Sequence, residues 1–147
     1  MRIDYKKRPE VYRPMRALKE AEEVGTLEPL LMELVRIRAS QLNGCAYCVD
    51  MHSKDARAIG ETEQRIYALP VWRETPFFTA RERAALAFTE EVTLLASTHV
   101  PDEAYRAVAA EFSQPELAAL ISLIVTINAW NTIGVATRAW VPGSYQP

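Results

Sequence analysis

Long runs of one charge are missing from this sequence. Seventeen Lys and Arg nearly balance nineteen Asp and Glu, for a formal charge of -2, and the longest basic block is Lys6, Lys7 and Arg8. That leaves no electrostatic footprint for nucleic acid. The longest apolar stretch, 117–130, is interrupted by Ser122, Thr126 and Asn128 and falls short of the roughly 20 residues a membrane span needs. It reads as a buried helix, and no membrane partner is expected. The first ten residues carry Arg2, Asp4, Lys6, Lys7, Arg8 and Glu10, which leaves no apolar core for a secretory signal, so a cytoplasmic location is expected. Internal repeats and low-complexity linkers are absent. Apolar residues make up 49% of the chain, enough for one globular domain over 1–147 with a sizeable core. Cysteine is scarce: only Cys45 and Cys48 occur. In a reducing compartment, two cysteines at this spacing point to catalysis or metal binding rather than to a structural staple.

What is present reads as helix after helix, with breaks marked by Pro, Gly and capping residues rather than by strand-like alternation. A first helix is expected over 15–24, ended by Gly25. A second follows over 28–42, with Leu30, Leu31, Leu34, Ile37 and Ala39 on its apolar face and Asn43 and Gly44 stopping it. A third, 45–59, ends at Gly60. The stretch 61–69 predicts a short helix and 70–76 an irregular connector carrying Trp72. Thr79 with Glu82, and Ser113 with Glu116, have capping-box spacing. They open a helix to about residue 97 and a long final helix. Between them 101–112 predicts another, with Pro101 in its first turn. The expected fold is all-α, six to seven helices with a central helical hairpin that carries the two cysteines.

The chemistry concentrates between Glu33 and His52. If the third helix begins at Cys45, then at 100° per residue Cys45, Cys48 and His52 fall at roughly 0°, 300° and 340°, one narrow face. The first turn of that helix offers unpaired N–H groups and the positive end of the macrodipole, which favour thiolate over thiol. His52, one turn on, can take or return a proton near neutral pH. An antiparallel pairing across Asn43 and Gly44 brings Glu33 within a few ångströms of His52 in height, given a rise of about 1.5 Å per residue. A nucleophile, a partner thiol, a base and an orienting carboxylate can thus share one hairpin.

Blander readings stand beside these. Glu33 reads equally as a solvated helix charge paired with Arg36 or Arg38. Tyr47 points elsewhere on the wheel and reads as packing. His99 sits beside a helix start and gains no catalytic support. Trp130, Asn128 and Asn131 lie on the apolar helix, where the amides need tertiary or subunit hydrogen bonds. Cys45, Cys48, His52 and Glu33 are all possible zinc ligands, but structural zinc usually draws on a second Cys or His pair, and only His99 remains. No metal is expected.

The run ELVRIRASQLNGCAYCVDMH (33–52), continued by SKDAR (53–57), resembles the AhpD-like core of the carboxymuconolactone decarboxylase family. The resemblance extends through LPVWRE (69–74), RERAA (81–85), HVPDE (99–103) and INAWN (127–131). It implies an all-α fold, a homo-trimer or a hexamer of trimers, and reduction of organic hydroperoxides by thiols without metal, haem or flavin, recycled by a thiol or dithiol reductant. It also implies roles: Cys48 attacks the peroxide, Cys45 resolves the sulfenic acid as a disulfide, and Glu33 with His52 relays the proton. Helix-dipole reasoning alone favours Cys45, nearer the helix start, as the more acidic thiol. Well-characterised alkylhydroperoxidases of this type place a histidine between the cysteines where this chain has Tyr47, which implies a simpler or slower relay. Thr132 replaces an arginine common in close relatives. A decarboxylase of the same family and a non-enzymatic thiol switch are the competing expectations; the decarboxylase does not need a vicinal thiol pair.

Overall fold

The computed structural model describes residues 1–22 and 27–147. Among these there are eight α-helices and no strand: α1 (Pro9–Glu22), α2 (Pro29–Leu42), α3 (Ala46–Ala58), α4 (Glu63–Ala68), α5 (Ala80–Thr93), α6 (Leu95–Thr98), α7 (Asp102–Ala109) and α8 (Gln114–Thr137). Short 3-10 helices occupy Tyr5–Lys7 and Leu69–Glu74.

α2 is the central helix, and its sequence explains why. Leu31 and Val35 project into one apolar cluster with Phe88 of α5 and with Leu120 and Ile124 of α8. Leu34 and Ile37 enter a second cluster with Ala56 of α3, Trp72 and Leu86. Leu34, Leu86 and Leu120 are fully buried, each contributing about 1.5–3 kcal/mol by leaving water. With neighbours on both sides α2 is fixed, and so is the hairpin it makes with α3.

Both expected capping boxes form: Thr79 with Glu82 opens α5, and Ser113 with Glu116 opens α8. Other boundaries differ from the sequence reading. α1 begins at Pro9, six residues early, and continues through Pro14. Pro9 occupies the first helical position, where its missing N–H costs nothing, and Pro14 lies exposed, where water can bind the carbonyl it leaves free. The expected end at Val24 and Gly25 lies outside the described residues. The helix read to residue 97 stops at Thr93, and α6 is a separate turn closed by left-handed His99 and Val100, φ 56° and 46°. The connector 70–76 is largely 3-10 helix, with Trp72 buried. α8 is long and apolar enough to cross a membrane by length and composition. It is not buried all round: Leu120, Leu123 and Ile124 are in the core, whereas Ile121 and Val125 are 38% and 51% exposed.

Candidate active site

The turn between α2 and α3 is held before the chemistry begins. Gly44 has φ +66°, a left-handed conformation that side chains disfavour. Asn43 Nδ2 donates to Asn128 Oδ1 at 2.6 Å and to Asn131 Oδ1 at 3.0 Å, and Asn131 Nδ2 donates to Ser40 Oγ at 2.9 Å. The two asparagines of α8 thus find partners within the chain, and they tie the turn to the core.

Cys45 is the N-cap of α3 rather than its first residue, and Cys48 lies in the first turn. The two are joined as a disulfide, with Cα atoms 5.3 Å apart. Both are buried. α8 passes directly behind the first sulfur: a Cβ at Gly134 would lie 3.2 Å from Cys45 Sγ and 3.3 Å from the Trp140 ring. Glycine is what permits that approach.

Glu33 lies against His52, with His52 Nδ1 2.8 Å from Glu33 Oε2. Arg36 holds the other carboxylate oxygen. The surface-charge reading of Glu33 named the right arginine but the wrong setting, because Glu33 and His52 are both buried. Burial pushes the Glu33 carboxyl up, but the hydrogen bond and charge of His52 and the charge of Arg36 outweigh it and hold its pKa below the ordinary value. An ionised Glu33 accepts a hydrogen bond from Nδ1–H, which leaves Nε2 as the ring nitrogen that can exchange a proton.

Asp55, one turn beyond His52, completes a cluster in which one ligand atom each from Glu33, His52 and Asp55 lies within 4.8 Å of the others. A divalent cation could use such a set, in contrast to the cysteine-containing set weighed from sequence. Here the cluster is already engaged by other donors: Arg36 on Glu33, and the Tyr145 hydroxyl, which donates to Asp55 Oδ1 at 2.7 Å. That hydrogen bond pushes the Tyr145 phenol up to about 12.

Cys48 and His52 open on a cavity of about 320 Å³; Cys45 faces Gly134 instead. Rings form one wall. Tyr12 of α1 meets Trp130 edge-on at 6.0 Å, Trp130 meets Trp140 edge-on at 6.0 Å, and Trp140 stacks on Tyr47 at 5.7 Å. Tyr47 does pack, as expected, but as part of this wall, in the same cavity as Cys48. Arg36 also lines the cavity, as do Lys6, Arg16 and Lys19 from the first twenty residues. The sequence reading assigned none of these to a site; only the i, i+3 spacing of Glu33 and Arg36 offered a signal. His99 is not in the wall.

Residues 9–91 match the model of the carboxymuconolactone decarboxylase family. The chain is 42% identical to the uncharacterised YdfG of Bacillus subtilis over 132 residues, 90% of each chain. It superposes with a TM-score of 0.92 and 42% identity on a protein of unknown function from Agrobacterium tumefaciens, a candidate AhpD antioxidant defence protein, covering 96% of this chain and 97% of that one. An AhpD-core, peroxidase-related protein from Ralstonia eutropha shares the fold at a TM-score of 0.81 and 21% identity, over 94% of this chain and 73% of that one. From the family match, these relatives and the shared all-helical architecture, the chain belongs to the carboxymuconolactone decarboxylase family and has the AhpD-like fold.

Proposed function

We propose that the protein is a thiol peroxidase that reduces organic hydroperoxides through Cys48, Cys45, His52 and Glu33. One observation carries the reading: Cys48 of a vicinal pair lines a cavity beside His52, whose Nδ1 is held by a buried carboxylate at 2.8 Å. Cys45 does not reach that cavity, which favours Cys48 as the attacking sulfur despite its place further along the helix.

In the reduced protein His52 accepts the Cys48 proton, and the thiolate attacks the terminal oxygen of the hydroperoxide. The O–O bond breaks, the alkoxide recovers the proton from His52 and leaves as an alcohol, and Cys48 becomes a sulfenic acid. The Cys45 thiol displaces its hydroxyl, forming the disulfide and releasing water. An external dithiol returns two electrons and two protons by exchange. Glu33 orients the imidazole throughout.

The test is turnover of cumene or tert-butyl hydroperoxide under a recycling dithiol, with intact mass before and after oxidation. Expected are catalytic consumption and loss of two hydrogens, mapped to Cys45 and Cys48. Stoichiometric oxidation without turnover would favour the thiol switch, and neither would reject both. The exposed apolar residues Ile121 and Val125 on α8 support the expected trimer or hexamer. Light scattering at micromolar concentration checks it, and a monomer refutes it.

A further inference from the structure

Lys6, Arg16 and Lys19 converge on the cavity and are exposed, and none makes a hydrogen bond or ion pair with a described residue. Elsewhere Lys7, Lys54, Arg57, Arg65, Arg73 and Arg81 each hold a carboxylate, and the exposed cations without one among the described residues, such as Arg8, Arg13, Arg106 and Arg138, do not line the cavity. Among the described residues the cavity has no acidic lining; the charge of Arg36, which also lines it, is offset by Glu33, so the uncompensated positive charge is that of Lys6, Arg16 and Lys19. Like charges gathered at one mouth repel each other and attract an anion. Below them the aromatic wall from Tyr12 to Tyr47 offers ring faces and edges that stack with a flat ligand. The volume, about 320 Å³, lies near the lower end of small-molecule sites, roughly 300–1,000 Å³. It suits one substituted ring better than a long acyl chain.

We propose that the cavity selects an aryl hydroperoxide bearing a carboxylate, with the anion at Lys6, Arg16 and Lys19, the ring against Trp130 and Trp140, and the peroxide at Cys48. A neutral alkyl hydroperoxide would use neither the cations nor the rings. The proposal rests on the peroxidase reading for its hydroperoxide, whereas its charge selectivity is open to test without any turnover.

Two measurements separate the two claims. The first is binding of 4-isopropylbenzoate and of its neutral isostere 4-isopropylbenzamide to the oxidised protein, followed by tryptophan fluorescence. Clefts of one sign raise local counter-ion concentration by roughly 10- to 1,000-fold, so the acid should bind at least about tenfold tighter at low salt. The difference should shrink towards nothing near 1 M salt, where the screening length is about 3 Å. The second is the ratio of kcat/KM for 4-carboxycumene hydroperoxide to that for cumene hydroperoxide. That ratio should exceed about ten in the wild type and approach one in the combined Lys6→Gln, Arg16→Gln, Lys19→Gln variant. Any change in Cys48 reactivity is common to both substrates and cancels. The wild-type salt series stands even if the variant does not fold. Equal binding of acid and amide, with cumene hydroperoxide still turned over, overturns the anion site and leaves the peroxidase. Selective binding of the acid with no turnover of either hydroperoxide overturns the peroxidase reading and the hydroperoxide named here.

Discussion

α2 sends two arginines to opposite sides, and each meets a carboxylate out of full contact with water, Glu33 buried and Glu90 half-buried. On one side Arg36 and His52 hold Glu33 beside the cavity; on the other Arg38, Arg73 and the Trp72 indole N–H hold Glu90. Burial pushes both carboxyls up, and in both the hydrogen-bond donors and positive charges outweigh it, so each pKa lies below the usual range. A perturbed carboxylate therefore does not by itself mark a site. The partners differ. Glu90 is surrounded by two guanidiniums and an indole, none of which exchanges a proton near neutral pH, so that centre is a clamp between α2, α5 and the Trp72 segment. Glu33 is joined to an imidazole that faces a cavity next to a cysteine.

The largest effect should come from Cys48→Ser, which removes peroxide-driven oxidation and turnover; persistence of both would transfer the chemistry to Cys45. Next, His52→Ala and Glu33→Gln should each slow the reaction of reduced protein with peroxide by about 10²–10⁴-fold in stopped flow. The double variant should be little worse than the poorer single one. A folded Glu33→Gln protein reacting at the wild-type rate would make Glu33 a second clamp and erase the contrast. Glu90→Gln should behave oppositely, losing about 2–3 kcal/mol in urea unfolding through its charged hydrogen bonds with the peroxide rate nearly unchanged. A rate loss like that of Glu33→Gln would break the comparison from the other side.

The smallest effect is the pH dependence. Glu33 and Glu90 have lowered pKa values, and Glu116 is held at about 2 by the Ser113 hydroxyl and backbone N–H and by Arg81. A lowered folded pKa contributes stability above the unfolded value that is lost as pH falls through the folded one. The urea midpoint should thus decline from about pH 4.5 downward, and the decline should be shallower in Glu116→Gln. An equally steep decline in that variant would assign the acid sensitivity elsewhere.

The hairpin was legible in the sequence because its signals are local: Asn43 and Gly44 stop one helix, Cys45 opens the next, and helical periodicity with an antiparallel turn brings Glu33 to His52. The capping boxes at Thr79 and Ser113 were legible for the same reason. The end of α5 was not, because the helix breaks at Leu94, φ -96° and ψ 26°, a residue type that announces no break. Nor was α1, where contact with Trp130 outweighs the warning of Pro14. The cavity wall was the least visible part. Its rings and cations come from residues 6–19, 47 and 130–140, which no local pattern connects.

The close approach at Gly134 bears on how long an oxidised Cys48 persists. With α8 behind it, the Cys45 sulfur has little room to swing away, which keeps its effective molarity beside Cys48 high. Adding a methyl group at Gly134 would displace either that sulfur or the Trp140 ring. Ring closure would slow while the first attack stayed fast, and a sulfenic acid that waits is open to a second peroxide and irreversible sulfinate. Peroxide titration of Gly134→Ala, with sulfinate read by intact mass, should therefore show over-oxidation at concentrations the wild type survives. A residue without a side chain, on a different helix, would then decide whether oxidation at Cys48 can be undone.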